Sequence, residues 1–206
     1  MLRIWGRTNS VNVKKALWCL EELGLAYERI DAGLQHGMVN TAEYRRLNPN
    51  GLVPTIDDAG FVLWESNAIV RYLAAKHGAG TLWPDDPRVR ADADRWMDWA
   101  SATLGRAMRD AFWGLVRMAP AERDQRSIAT SIARSAELLP IADAALADRP
   151  YIAGDAFTMG DIPLGCHMYN WMMLPIPRPP LPHLAAWYER LTTRPAYRKV
   201  VMLPLS

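Results

Sequence analysis

Hydrophobic positions recur with two different spacings in the first third of the chain. Short runs typical of β-strands occupy residues 2–5 and 26–30. Between them, apolar residues from Val11 to Leu23 repeat at helical spacing until Gly24 ends the run. A strand, a helix and a second strand in this order predict a right-handed unit in which the two strands are parallel.

The same segment continues with a short helix predicted over 41–47 and then a hairpin. The runs VPTI (53–56) and FVLW (61–64) are separated by DDAG, whose Asp and Gly residues favour a tight turn. A further helix is predicted over 65–78, with its apolar residues on one side. This order of elements predicts a small α/β domain over residues 1–77.

The hydrophobic pattern changes after this domain. Residues 78–87 are rich in glycine and proline, which predicts a linker. Beyond the linker every periodic run has helical spacing, and the predicted helices span 88–117, 121–147, 158–173 and 183–193. Because no strand pattern returns, the sequence predicts an all-helical second domain over residues 88–206.

Composition narrows the class of protein. The 24 basic and 22 acidic side chains nearly cancel and are interspersed, which argues against nucleic acid or an anionic membrane as a main partner. No apolar run approaches the roughly 18 residues of a membrane span. The two cysteines, Cys19 and Cys166, form no disulfide framework or metal-binding spacing. We therefore expect a cytoplasmic protein without a metal site.

Pro54, within the run NGLVPTI, stands where the third strand is expected to begin. Proline has no N–H to donate to a sheet, so its neighbours' backbone groups are open to another partner. Only X-Pro bonds adopt the cis form at a low cost, about 0.5–1 kcal/mol. An ordinary trans proline on an edge strand is the alternative interpretation, and Pro54 alone favours it.

Glu65 and Ser66 lie where the second hairpin strand gives way to a helix. A helix N-terminus presents unpaired N–H groups and partial positive charge, which suit a carboxylate ligand. The alternative is plain capping, with Ser66 as the cap and Glu65 favourable to the helix dipole. The two roles are compatible, because a cap can be shared with a ligand.

These motifs together resemble those of the cytosolic glutathione transferases. The strongest match is NPNGLVPTIDDAGFVLWESNAIVRYLA (48–74), and FTMGDI (157–162) resembles the capping box of the family's helical domain. The loop RTNSVNVKK (7–15) is similar to that of theta-like and related bacterial members with a hydroxyl residue there. The resemblance, which extends from Leu2 to about Pro195, implies a thioredoxin-like domain followed by a helical bundle, in a homodimer.

The resemblance also implies glutathione as the co-substrate and assigns its contacts. The Val53–Pro54 bond would be cis, so that the backbone of Val53 pairs with the cysteinyl unit of the peptide. Ser66 would bind the γ-glutamyl carboxylate, and Glu65 the α-ammonium group.

Two residues between the first helix and Pro54 are candidates for the glycyl carboxylate of glutathione. They are Gln35 and His36, in the polar stretch GLQHGMVNTAEY. Leu52 replaces the basic residue that theta-like members often carry just before the valine. This departure predicts a glutathione affinity that differs from theirs.

A donor near the sulfur is needed to ionise the glutathione thiol. Lowering a thiol pKa of about 8.5 by two units takes about 2.7 kcal/mol. A hydrogen bond to a charged group contributes about 1.5–3 kcal/mol, and a helix N-terminus up to about 1 more. Ser10, just before the first helix, and Asn12, in its first turn, are the candidate catalytic residues. Either could instead merely cap the helix.

The electrophile would lie between the domains, against the first helix after the linker. Arg106, Arg109 and Trp113 share one side of that helix, beside an apolar stripe. A cation beside an aromatic wall suits a substrate that develops negative charge, such as a leaving halide. Solvated charges and interface aromatics are the alternative interpretation of the same residues.

The predicted function is a glutathione S-transferase that activates the glutathione thiol for attack on a small hydrophobic electrophile. A glutathione-dependent disulfide reductase or peroxidase is one alternative. A non-catalytic glutathione-binding module is another, because a fold does not guarantee chemistry. Cys19, two turns into the predicted first helix, is expected to be a buried structural residue rather than a nucleophile.

Overall fold

A four-stranded sheet forms the N-terminal part of the computed structural model, which describes residues 1–206. The strands are β1 (Leu2–Trp5), β2 (Tyr27–Ile30), β3 (Thr55–Asp58) and β4 (Phe61–Trp64), in the order β2-β1-β3-β4. β1 is parallel to β2 and antiparallel to β3, and β3 is antiparallel to β4. The predicted parallel pair and hairpin are both present.

Three helices accompany this sheet: α1 (Val11–Glu22), α2 (Ala42–Leu47) and α3 (Ser66–His77). α1 stops where the sequence predicts, because Gly24 adopts φ +63° and its N–H bonds back to the Glu21 carbonyl at 3.1 Å. The Thr41 hydroxyl caps α2 by accepting from the Tyr44 N–H at 3.2 Å. With the sheet, these helices make the thioredoxin-like arrangement expected from the resemblance.

The hairpin turn consists of Ala59 and Gly60, both with positive φ (52° and 95°). This is the turn geometry that matches the twist of paired strands. Asp57 Oδ1 accepts from the Gly60 N–H at 2.7 Å and fixes the turn. Asp58, placed in the turn by the sequence pattern, is the last residue of β3 instead.

The remainder of the chain is helical. The predicted helix over 88–117 is a series of segments: α4 (Pro87–Trp99), a π-helical turn (Ala100–Leu104), α5 (Gly105–Ala107), α6 (Arg109–Phe112) and a second π-helical turn (Trp113–Arg117). The other helices are α7 (Gln125–Ala145), α8 (Asp161–Met173), α9 (Pro182–Thr192) and α10 (Pro195–Val200). None of these helices is both long enough and apolar enough to cross a bilayer.

Two helix starts differ from the sequence prediction. α7 begins at Gln125 rather than at 121, because the Asp124 carboxylate caps it by accepting from the N–H groups of Arg126 and Ser127. α8 begins at Asp161 rather than at 158, since Thr158 uses its hydroxyl to accept from the Gly160 N–H at 3.3 Å. α10 has no counterpart in the sequence prediction.

A continuous apolar core joins the sheet part to the helical part. Trp18 of α1 is fully buried and its ring lies 5.3 Å from Phe157 and 4.6 Å from Tyr197. A Cβ on Gly165 of α8 would come within 2.7 Å of the Trp18 ring, so glycine allows α8 to approach α1 closely. One side of α1 is therefore packed against the helical part of the chain, while its N-terminus borders a cleft.

Candidate functional site

A cleft of about 890 Å³ opens between the sheet part and the series of helices from α4 to the second π-helical turn. Its walls come from the β1–α1 loop, the N-termini of α1 and α3, and residues of α8. Most of the predicted site residues line it: Ser10, Asn12, Glu65, Ser66, Arg106, Arg109 and Trp113. The structure thus brings the candidate thiol-activating residues and the candidate electrophile residues to one cavity.

Ser10 is buried directly before α1, with an extended backbone (φ −89°, ψ 123°). Its side chain makes no capping hydrogen bond, although its position is that of a helix cap. Helix capping, the alternative role considered for this serine, therefore does not occupy the hydroxyl. The hydroxyl is free to donate to a ligand atom at the positive end of α1.

Asn12 belongs to a polar network at the base of the cleft. Its Oδ1 accepts from Lys15 Nζ at 2.9 Å and from the Ser66 hydroxyl at 3.3 Å. Lys15 also donates to the Ser101 hydroxyl at 3.1 Å, and Asn67 Nδ2 donates to the same hydroxyl at 3.1 Å. The network thereby ties α1, α3 and the first π-helical turn together around the cleft.

Lys15 is buried and has no carboxylate within ion-pair distance. Burial lowers its pKa to about 8, a shift that the charge of Glu65 partly opposes. Sequence reasoning missed this residue, because a lysine in a helix is usually solvated. The available signal was its position three residues after Asn12, on the face of α1 that also carries Val11 and Trp18.

The antiparallel register of the hairpin places two predicted glutathione contacts side by side. Thr55 is opposite Trp64, so the residues just before β3 lie next to those just after β4. The Val53–Pro54 peptide bond in the first segment is cis, as the resemblance implies. In the second segment Glu65 adopts φ +72°, and buried Ser66 begins α3. Val53 and Pro54 lie outside the residues that line the cleft itself.

Gln35 and His36 lie in a short 3-10 turn (Leu34–His36) and do not line the cleft. Gln35 Nε2 and His36 Nε2 are 3.1 Å apart, and His36 Nε2 is 3.8 Å from the Asp31 carboxylate. The structure therefore does not bring these two side chains together with Ser10. Leu52, just before the cis bond, is largely exposed, and its carbonyl accepts from the Tyr44 hydroxyl at 2.7 Å.

The helical wall of the cleft carries more cations than the sequence analysis selected. Arg106, Arg109 and Trp113 are exposed there. Arg117 joins them, with its guanidinium carbon 4.8 Å from the Trp113 ring centre. Arg7 faces this wall from the β1–α1 loop. Arg7 and Arg117 were missed because nothing in their spacing links them.

Neither cysteine is available as a nucleophile. Cys19 and Cys166 are free thiols with no exposed surface. Burial raises the pKa of Cys166 to about 12 and raises that of Cys19 further above its ordinary value. The prediction that Cys19 is structural is consistent with its position, and any thiol chemistry in the cleft needs a thiol from a ligand.

Comparison with known proteins agrees with this geometry. Residues 9–76 match the family described as glutathione S-transferase, N-terminal domain, and residues 97–195 match glutathione S-transferase, C-terminal domain. Glutathione S-transferase GstB of Escherichia coli (strain K12) is 49% identical over 208 residues, covering 100% of both chains. The chain belongs to the glutathione S-transferase family.

Two solved structures are close to this glutathione S-transferase in shape. Both are of the theta class enzyme from the citrus canker pathogen Xanthomonas axonopodis pv. citri. Its glutathione-bound form has a TM-score of 0.97 at 56% identity, covering 100% of this chain and 99% of the other. Its apo form has a TM-score of 0.87 at 52% identity, covering 100% and 98%. The predicted family and two-part fold are confirmed. The similarity to a theta-class structure also agrees with the resemblance of the loop over residues 7–15, which carries Ser10, to theta-like members. The roles of individual residues stay predictions.

Proposed function

We propose that this transferase binds glutathione in the cleft, ionises its thiol beside Ser10 and directs the thiolate at a small electrophile. The observation that carries the proposal is the free Ser10 hydroxyl at the N-terminus of α1, in the same cavity as the N-terminus of α3. Two helix N-termini and a hydroxyl donor favour two anionic groups, a carboxylate and a thiolate.

In this proposal the α3 end of the cleft holds the γ-glutamyl group. Ser66 and the first N–H groups of α3 meet its carboxylate, and the exposed Glu65 side chain meets its ammonium. The backbone of Val53 pairs with the cysteinyl unit as an added strand. The register that sets Val53 beside Glu65 supports this arrangement, since one short peptide then reaches both.

Gln35 and His36 meet the glycyl carboxylate, at the end of the peptide farthest from α3. Their position in the turn after β2 supports this assignment: a Cβ at neighbouring Gly33 would lie 3.4 Å from the Val53 side chain. The exposed, apolar Leu52 adds no charge there. Glutathione affinity at this end therefore depends on the two polar side chains.

The reaction is a nucleophilic displacement or addition in which the protein supplies binding and electrostatics. The thiolate sulfur forms a bond to an electrophilic carbon, and a leaving group such as halide departs with its electron pair. Ser10 donates to the sulfur, and Asn12 is the second donor. Arg106, Arg109 and Trp113 border the developing charge. No covalent intermediate with the protein is required.

The assembly and compartment belong to the same proposal. Leu52, Phe61 and Trp64 are apolar side chains exposed on the hairpin side of the protein, with 64%, 50% and 37% of their surface accessible. Such apolar surface favours a homodimer in which this side is covered. Two free, buried cysteines are typical of a reducing cytoplasm.

Calorimetry with glutathione, followed by absorbance near 240 nm as a function of pH, tests the proposal. We expect binding with the pKa of the bound thiol at least about one unit below the 8.5 of a free thiol. Ser10→Ala is expected to raise that pKa by one to two units and to lower kcat/KM about 10–100-fold. Thr8→Ala removes a hydroxyl from the same loop outside the cleft lining and serves as the control.

Full conjugating activity in Ser10→Ala would refute the role given to Ser10. Binding without a pKa shift would leave a glutathione-binding module. Assays with an aryl halide, a disulfide and a peroxide then separate conjugation from the reductase and peroxidase alternatives. The proposed transferase turns over the halide faster than the other two, relative to the uncatalysed rates.

A further inference from the structure

Arg7 and Arg117 face the cleft without a carboxylate partner. The Nε atom of each is buried and has no hydrogen-bond partner. Neither guanidinium takes part in an ion pair. Both line the same cleft, and Arg117 Nη2 donates to the carbonyl of Asn9, two residues after Arg7. Burial lowers the pKa of Arg7, and the charge of Arg117 lowers it further. Two adjacent, half-buried cations without an anion are an unfavourable arrangement unless a ligand completes it.

The rest of the cleft does not neutralise this pair. Its cationic lining residues are Arg7, Lys15, Arg71, Arg106, Arg109 and Arg117, and its acidic ones are Glu65 and Asp98. Asp98 is already bound by Arg71 at 2.5 Å. Glu65 is exposed, at the start of α3. The cleft therefore has an excess of positive charge, and three of its arginines, Arg106, Arg109 and Arg117, lie on the helical wall.

Both arginines are attached to the loop that carries Ser10. The Ser10 N–H donates to the Arg7 carbonyl at 3.3 Å, and Arg117 Nη2 donates to the Asn9 carbonyl at 3.1 Å. Arg117 also lies over two aromatic rings, with its guanidinium carbon 4.8 Å from the Trp113 centre and 5.2 Å from the Phe112 centre. A ligand anion held by the pair would thus sit between the proposed thiol position and an aromatic wall.

We propose that Arg7 and Arg117 form a carboxylate-binding subsite, and that the electrophile is an aromatic compound bearing a carboxylate. This inference rests on the proposed function and names its substrate class. The planar, forked guanidinium group matches a carboxylate with two parallel hydrogen bonds. Both Nη atoms of Arg7 and Nη1 of Arg117 donate to no protein acceptor, so they are the donors available to a ligand, whereas Arg117 Nη2 already donates to the Asn9 carbonyl. The ring of the substrate then packs on Trp113.

A model reaction shows the chemistry that this subsite would direct. With 4-chloro-3-nitrobenzoate, the glutathione thiolate forms an S–C bond at the chlorine-bearing ring carbon. The electron pair is carried temporarily by the ring and its nitro group, and chloride then leaves with the C–Cl bonding pair. The thiol proton is released to solvent when the thiolate forms. The carboxylate is unchanged and serves only for binding.

The competing source of a carboxylate is glutathione itself. A Cβ at Gly33 would lie 2.9 Å from Arg7 Nη1 and 3.4 Å from the Val53 side chain, so Arg7 also borders the predicted path of the peptide. The position of Arg117 favours the electrophile over glutathione as the source of the carboxylate, because Arg117 lies over the aromatic rings of the helical wall. We therefore assign the pair to the electrophile and use γ-glutamylcysteine, which lacks the glycine, to test the rival.

The first experiment is calorimetric titration of the glutathione-free protein with 4-chloro-3-nitrobenzoate and with the neutral 4-chloro-3-nitrobenzamide. The wild type is expected to bind the benzoate at least about tenfold more tightly. Arg117→Met and Arg7→Met should reduce this preference to about twofold or less. Arg88→Met removes an exposed arginine outside the cleft lining and should leave the preference unchanged. Equal binding of the two compounds by the wild type would overturn the inference.

The second experiment compares kcat/KM for the two aryl chlorides, the benzoate and the benzamide. Each value is divided by the rate of the uncatalysed reaction of that compound with glutathione. Arg117→Met is expected to lose about tenfold or more with the benzoate and less than twofold with the benzamide. Arg117→Lys keeps the charge but not the fork, and an intermediate loss is expected. If Arg117→Met folds poorly, Arg117→Lys supplies the same comparison of the two compounds.

Two results would overturn the assignment. Equal losses with both chlorides, accompanied by a raised pKa of the bound thiol, would mean that the pair acts on the thiolate. A loss of glutathione binding that spares γ-glutamylcysteine would assign the pair to the glycyl carboxylate. A wild type that fails to bind glutathione but prefers the benzoate would refute the proposed function and support the carboxylate subsite.

Discussion

Lys15 Nζ donates a hydrogen bond to Asn12 Oδ1 at 2.9 Å from within the protein interior. An ammonium group has donors and no acceptor, so this contact determines which end of the Asn12 amide is the oxygen. The Ser66 hydroxyl reaches the same oxygen at 3.3 Å. Asn12 Nδ2 is consequently the end left for a ligand in the cleft, and it can only donate.

Lys15→Met is expected to weaken activation of the thiol. Without the ammonium the Asn12 amide can turn its oxygen toward the sulfur, and a nearby positive charge is lost. The pKa of the bound thiol should rise by about one unit, and kcat/KM should fall about tenfold. Titration of the 240 nm absorbance measures the first effect and steady-state kinetics the second.

The control is Lys14→Met, because Lys14 is also buried but lies outside the cleft lining. Its ammonium donates to the Val201 carbonyl at 2.8 Å and lies 4.8 Å from the Tyr169 ring centre. This variant should leave the pKa of the bound thiol unchanged, even where it lowers stability. An unchanged thiol pKa in Lys15→Met would contradict the orienting role.

Activity is expected to decline as the pH rises through about 8. Burial lowers the pKa of Lys15 to about 8, so the ammonium loses its proton well below the 10.4 of an exposed lysine. Loss of that charge raises the free energy of the nearby thiolate. The kcat/KM profile of the wild type should therefore have an alkaline limb near pH 8, and the profile of Lys15→Met should lack it.

Stability has the opposite pH dependence in this range. Because the folded-state pKa is lowered, the unfolded chain binds more protons between about pH 8 and 10.4, and this group's contribution to stability rises with pH. Lys14, whose pKa burial also lowers to about 8, contributes in the same direction. The activity profile of Lys14→Met should keep its alkaline limb, which distinguishes the two lysines.

Regular periodicity made most of the fold predictable from the sequence. The bounds of α1 and α3, and the strands of the hairpin, depend on local residues such as Gly24 and the Ala59–Gly60 turn, so they agree with the prediction within one or two residues. The π-helical turns were not predictable, because the apolar spacing of the flanking helices continues through them. Close packing beside the first turn is equally hidden in the sequence. A Cβ at Gly105 would lie 2.8 Å from the His167 ring, a contact that no sequence period encodes.

Site residues that belong to a recognisable sequence motif were predictable. Ser10, Glu65 and Ser66 follow from turn and helix-start chemistry, and they do line one cleft. Lys15 and Arg117 could not be found in this way, because their importance comes from burial and from partners distant in sequence. Lys15 reaches Ser101, 86 residues away, and Arg117 reaches Asn9, 108 residues away.

Glu65→Gly is expected to stabilise the fold and impair the site. Glu65 adopts φ +72° and ψ 112°, a conformation that costs an L-residue about 1–3 kcal/mol and glycine very little. Part of that gain is offset by the greater freedom of glycine in the unfolded chain, about 0.4–1 kcal/mol. The free energy of unfolding should rise by about 1 kcal/mol in urea titrations.

The same variant removes the carboxylate proposed to meet the glutathione ammonium. Glutathione affinity should fall about tenfold in calorimetry, the usual scale for one charge-assisted contact. Glu65→Gln separates the two effects, because it keeps the strained backbone and removes only the charge. A Glu65→Gly variant that binds glutathione normally would exclude Glu65 from the site.

Asp161 is the strongest candidate for a purely structural carboxylate in the chain. It is fully buried: Oδ1 accepts from the Ile152 N–H at 2.9 Å and from Trp187 Nε1 at 2.8 Å, and Oδ2 accepts from the Thr158 N–H at 2.9 Å. Removing it leaves three buried donors without an acceptor, each costing about 1–3 kcal/mol. Asp161→Ala should therefore lower the free energy of unfolding by about 3–5 kcal/mol. The control is Asp155→Ala, at an exposed position six residues earlier, which should change the free energy of unfolding by less than about 0.5 kcal/mol. Urea titrations provide the measurement.

The thiol pKa of bound glutathione serves as the control for the site. Because Asp161 lies outside the cleft lining, the folded fraction of Asp161→Ala should keep the wild-type value of that pKa. A shifted thiol pKa in that fraction would show that Asp161 also acts on the site.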